Sequence, residues 1–158
     1  MTDVNQIITK TFDAVNSMMN DDKYDQSKRS YLINITRVVL NSTEYINSIK
    51  KQVNQINEDG KVDTNDIPTI LTIIVESKEF LTDTINKSIQ LTTTIDFKAM
   101  KYIIYGVIYF IMTLENVSPD LLIQVKKIYS AVWNIVAMNP DNIPIKVKSC
   151  WQKIKCCK

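Results

Sequence analysis

Apolar residues recur along most of this chain with the period of a helix. Val4, Ile7, Ile8, Phe12, Val15, Met18 and Met19 follow spacings of three and four, which predicts an amphipathic helix over 4–19. The polar stretch NDDKYDQSKRS comes next and offers Asp25 or Ser27 as an N-cap. Leu32, Ile35, Val39, Ser42, Ile46, Ile49, Val53 and Ile56 then form one seam. They predict a single helix from about Lys28 to Ile56, roughly 40 Å long at 1.5 Å per residue. The positions beside that seam hold Thr36, Val38, Thr43, Tyr45 and Lys50, with few charges. A two-stranded zipper wants charges there, so the pattern favours a wide face buried in a bundle. A third helix is predicted from Ile67 to about Thr92, capped by Asp66 or Thr64, with Pro68 in its first turn. Its stripe is Ile70, Leu71, Ile74, Leu81, Ile85 and Ile89.

YIIYGVIYFIMTL, residues 102–114, is the most apolar run, bounded by Lys101 and Glu115. It is shorter than the roughly 20 residues a membrane span needs, and three tyrosine hydroxyls within it need partners. The expectation is a central buried helix. SPDLL opens a fifth helix: Ser118 caps, Pro119 takes the first position and Asp120 faces the positive end of the dipole. Leu122, Val125, Ile128, Tyr129, Val132, Trp133 and Val136 give its apolar side. MNPDNIP, 138–144, is the clearest boundary, separating a bundle domain over 1–138 from a tail over 139–158. The fold class is therefore all-α: a bundle of about five helices plus a short basic C-terminal helix.

Composition narrows the chemistry. With 2 Gly and 4 Pro in 158 residues, few positions break a helix. The chain has no histidine, which removes the commonest general base and the commonest metal ligand. No nucleophile with a base and no Gly-rich phosphate loop is found, so no catalytic residue is nominated and the expectation is a protein that is not an enzyme. Cys150, Cys156 and Cys157 cluster at the C-terminus and cannot staple a core. MTDVNQIITKTF carries Asp3 early and no long apolar core of a secretion signal. A reducing, intracellular setting is expected rather than secretion.

One stretch calls for a closer reading. QINEDGKVDTND, residues 55–66, can be laid on the calcium loop of an EF-hand. Gly60 falls on the required glycine and Val62 on the apolar eighth place. Asn57, Asp59 and Asp63 take ligand positions three, five and nine, and Asp66 takes position twelve. Gln55 stands where an aspartate is wanted, and Asp66 is one methylene shorter than the usual glutamate. The same residues also describe a turn, with Gly60 at positive φ and the aspartates capping the next helix. A weakly bound calcium ion and a structural turn are both open at this point.

The wider stretch EDGKVDTNDIPTIL resembles small helical proteins of large icosahedral DNA viruses, among them minor capsid and virion components. Asp59, Gly60, Val62, Asp63, Asp66, Ile67 and Pro68 carry the likeness. The resemblance implies a structural protein of the virion that works by contact with other subunits, near a membrane.

The tail carries five lysines, Lys146, Lys148, Lys153, Lys155 and Lys158, against Asp141 alone. The whole chain is only +2, so the remainder is slightly acidic. Ile143, Val147, Cys150 with Trp151, Ile154 and Cys157 recur among the lysines at helical spacing. That is the make-up of an interfacial helix on an anionic membrane, with Cys156 and Cys157 as acylation candidates. The plain alternative is a further helix packed on the bundle with its lysines in water. Lysines without interleaved arginine and aromatic platforms argue against nucleic acid. Three functional readings follow: a scaffolding or minor capsid protein, a module docked to membranes by its tail, and a weak calcium binder.

Overall fold

A computed structural model describes residues 3–82 and 97–138. Among these residues the chain is all-helical, with six α-helices: α1 Val4–Asp21, α2 Arg29–Leu40, α3 Thr43–Asn57, α4 Ile67–Phe80, α5 Phe97–Leu114 and α6 Pro119–Met138. Single 3-10 turns, Gln26–Lys28 and Thr64–Asp66, lead into α2 and α4.

Several starts have a local cause. The Asp3 carboxylate accepts the Asn5 N–H at 3.1 Å and caps α1. Asp25 does the same for Ser27 at 3.0 Å, ahead of α2. Ser118 Oγ accepts the Leu121 N–H, and Pro119 then opens α6. α1 ends where Lys23 turns to φ 54°, and the N–H of Tyr24 closes back on the Met18–Asn20 turn at the Met19 carbonyl.

The predicted helix over 28–56 is two helices. Asn41 donates back to the Arg37 carbonyl, and Ser42 turns to an extended ψ of 93°. The Ser42 carbonyl then accepts the first bond of α3, from the Ile46 N–H at 3.0 Å. Asparagine and serine, which compete with the helix for backbone hydrogen bonds, occupy the break. The apolar seam survives it: Leu32, Ile35 and Val39 before and Ile46, Ile49, Val53 and Ile56 after are all buried. The predicted third helix starts where expected, as α4, Ile67–Phe80, and Leu81 and Thr82 continue in π-helical form. The rest of its predicted span, with Ile85 and Ile89, lies outside the described residues. The apolar helix begins at Phe97, five residues before the predicted 102. The predicted C-terminal helix lies outside the described residues.

α5 is the axis of the molecule. It contacts α1, α2, α3, α4 and α6, and 13 of its residues are buried. By length and composition it could cross a membrane, and it is the one such helix among the described residues, yet 72% of it is buried inside the bundle. α1 and α5 approach closely at Gly106, where an added Cβ would stand 3.0 Å from Val15 Cγ2 and 3.3 Å from Thr36 Cγ2. An aromatic column sets the antiparallel register of α5 and α6. Phe97 stacks on Trp133 at 4.8 Å between ring centroids, Trp133 meets Tyr129 at 6.1 Å, and Tyr129 meets Tyr105 at 5.6 Å. Such pairs add about 1 kcal/mol each beyond the area they bury.

Candidate functional site

Two polar clusters stand out from the apolar interior. The first is the 57–66 turn. Gly60 adopts φ 73° and donates to the Asn57 carbonyl at 2.9 Å, ending α3. Asp59 accepts the Lys61 N–H at 3.0 Å, and Asp63 accepts the Asn65 N–H at 2.9 Å. Asp66 turns back to accept the Asp63 N–H at 2.9 Å, which completes a reciprocal capping box. Val62 is buried, and its N–H reaches Gln124 Oε1 of α6 at 3.3 Å. The candidate ligands Asp59, Asp63 and Asp66 thus hold backbone amides. Among the described residues no three Asp, Glu, Cys or His side chains gather closely enough to share a metal ion. Asn57 Oδ1 is buried and accepts no hydrogen bond. We expect millimolar calcium to leave the melting temperature unchanged. A rise that Asp59→Ala abolishes would put a cation back in the turn.

Burial raises the Asp66 carboxyl above its ordinary 3.8, against the pull of the Asp63 N–H, and the Asp59 and Asp63 charges raise it further. The folded state therefore holds this proton more tightly than the unfolded chain. That contribution to stability is complete below pH 3.8 and is lost as pH rises through the elevated folded value. Asparagine keeps an oxygen for the Asp63 N–H and carries no charge. Asp66→Asn is expected to match or exceed the parent in stability at pH 7 and to flatten the loss of stability just above pH 3.8, as urea titrations across pH would show.

The second cluster was not legible as a site in the sequence. α1 ends in Asp21 and Asp22, where carboxylates meet the negative end of the helix dipole. Cations answer them. Lys101 Nζ lies 2.6 Å from Asp22 Oδ2, and Lys126 Nζ lies 3.1 Å from Asp21. Tyr102 donates its hydroxyl to Asp22 Oδ2 at 3.0 Å. Arg29 donates to the Tyr24 carbonyl at 2.9 Å and also to Asn20 Oδ1. The Tyr129 hydroxyl donates to the Lys101 carbonyl, and the Tyr24 ring lies 4.8 Å from that of Tyr102. The Lys101 side chain is only 9% exposed, against 28% for Asp22. Burial, and then the Asp22 carboxylate, raise the Tyr102 phenol above its ordinary value, so it remains a neutral donor. Chemically this is a clasp. A lysine from the central helix and a phenol beside it converge on one carboxylate and join α1 to α5. A lysine inside an otherwise apolar helix was the available signal, but it reads equally well as a flank of the run 102–114.

A third buried polar contact joins α3 to α4, where Tyr45 hydrogen-bonds Ser77 and stacks on Phe80 at 4.3 Å. The contact residues proposed in the tail, Lys146, Lys148, Trp151, Lys153, Lys155, Cys156, Cys157 and Lys158, lie outside the described residues. No protein family, curated protein or solved structure matches this chain.

Proposed function

We propose that this protein is a non-enzymatic structural or scaffolding component that acts by contact with other protein subunits. In this reading the six described helices form one building block. The carrying observation is where the interior polar groups are engaged. Lys101, Asp22, Tyr102, Tyr129, Tyr45 and Ser77 all bind neighbouring helices, so the buried chemistry holds the bundle together. Outside, Val4 on α1 and Tyr31 and Val38 on α2 turn apolar side chains to solvent. Tyr31 and Val38 are seven residues apart and share one face of α2, a small surface for a neighbouring subunit. The resemblance to minor capsid proteins points the same way.

Cross-linking mass spectrometry on native assemblies tests the reading. The expected result is stoichiometric incorporation, with cross-links from Lys28 and Lys10 to one dominant partner. Val38→Asp should lower incorporation while leaving helicity unchanged. A protein recovered free of any assembly, with Val38→Asp indistinguishable from the parent, ends the proposal.

A further inference from the structure

One backbone torsion separates α2 from α3. Asn41 stays in the helical region at φ −84° and ψ −6°, and only Ser42 leaves it, with ψ at 93°. A helix needs a ψ of about −42° there. The break is also poorly sealed. The Ser42 side chain makes no capping hydrogen bond, so the Thr43, Glu44 and Tyr45 amides open α3 without a side-chain cap. In an unbroken helix the carbonyls of Val39, Leu40 and Asn41 would accept from them. The seam from Leu32 to Ile56 would also stay on one side of such a helix, within roughly a third of its circumference.

α1 and α2 are tied to each other. Arg29 on α2 donates to the Met19 carbonyl at 3.4 Å and to the Tyr24 carbonyl at 2.9 Å. The Arg37 guanidinium lies 5.2 Å from the centroid of the Phe12 ring on α1. α2 packs far more on α5 than on α3. What holds the pair in place is α5, through Asp22 with Lys101 and Tyr102 and through the close approach at Gly106. α6 adds the ion pair of Lys126 with Asp21.

We propose that two copies of this chain exchange their α1–α2 pairs by straightening the break at Asn41 and Ser42. Each chain then carries one helix from Arg29 to Asn57, about 43 Å long at 1.5 Å per residue. Its α3 half stays on its own α5, and its α2 half lies on α5 of the second copy. The contacts of the pair with α5 and α6 are remade between chains, and the first amides of α3 gain acceptors. A second copy is the fitting partner because it presents the same α5 and α6 surfaces that the pair already matches. A short hinge between two such units invites this exchange. The exchange needs no other kind of subunit, so it stands or falls apart from the scaffolding reading.

The test refolds an equal mixture of isotope-labelled and unlabelled full-length chains at high protein concentration and then couples ion pairs with a carbodiimide. Asp21 and Lys126, 3.1 Å apart and open to solvent, become linked within one chain in the monomer and between chains after exchange. Lys50 and Glu115, 3.0 Å apart, both lie in the part that stays behind, so their link remains within one chain in either form. Half-labelled Asp21–Lys126 peptides in the dimer fraction, without half-labelled Lys50–Glu115 peptides, are the expected result. Asn41→Ala combined with Ser42→Ala favours helix through the break and should raise the dimer fraction in sedimentation several-fold. Ser42→Asp caps α3 and disfavours the continuous helix, so it should lower that fraction. Circular dichroism should show helicity close to the parent's in both variants. Three results overturn the proposal: parent and double-alanine variant that stay monomeric at every concentration, a dimer whose Asp21–Lys126 links all lie within one chain, or a Ser42→Asp variant that dimerises as readily as the double-alanine one.

Discussion

Asp22→Ala should lower stability by about 3 kcal/mol, because it strands the Lys101 ammonium inside the bundle without its counter-charge. For a chain of this size that corresponds to a fall in melting temperature of about 10 °C. The two partners are unequal, and the inequality makes the test specific. Lys101 is 9% exposed in its side chain, while Asp22 is 28% exposed and can recover water. Lys101→Met removes the buried charge and leaves a carboxylate that still accepts from Tyr102. Its expected cost is about 1 kcal/mol or less, since an apolar side chain of similar length often replaces a buried ion without loss. Adding Lys101→Met to Asp22→Ala should therefore recover most of the lost stability. Urea unfolding of the four proteins of this cycle measures the coupling. If Asp22→Ala costs no more than Lys101→Met, the clasp is only a surface ion pair.

Gly106 carries the second large effect. Its Cα faces Val15 and Thr36, both branched at Cβ and both fully buried, so neither can swing aside. Gly106→Leu is expected to cost about 3 kcal/mol through overpacking where α1, α2 and α5 meet. Gly106→Ala is a closer balance. The helix gains about 1 kcal/mol in propensity, while the new Cβ compresses the contact with Val15. The predicted sum is near zero. Val15→Ala leaves a cavity, and Gly106→Ala then fills part of it, so the double variant should be more stable than Val15→Ala alone. Thermal melts of the four proteins decide the point. Strictly additive effects would mean that Val15 and position 106 do not share this space.

The sequence revealed helices more readily than their breaks. The 3–4 spacing of the apolar residues marks which face of α1, α3 and α6 is buried, because burial is what the spacing records. It does not record continuity. The seam from Leu32 to Ile56 keeps its phase through Asn41 and Ser42, so two helices sharing one core face produce the pattern of one. The break was written in residue chemistry, in an Asn-Ser pair that a periodicity count treats as one more polar position. The turn at 57–66 was readable as a turn, since each aspartate finds an amide within three residues. The clasp was not readable, because Asp22 and Lys101 are 79 positions apart and no local pattern links them.

The central position of α5 also governs when this chain can fold during synthesis. α1, α2 and α3 all turn their apolar faces to a helix that begins only at residue 97. At cellular elongation rates, α1 waits about ten seconds between its own emergence and that of its partner. During that interval α3 can already meet α4, whereas the faces of α1 and α2 that α5 covers stay open to solvent. The bundle therefore closes only once α5 has left the ribosome, late in the synthesis of the described residues.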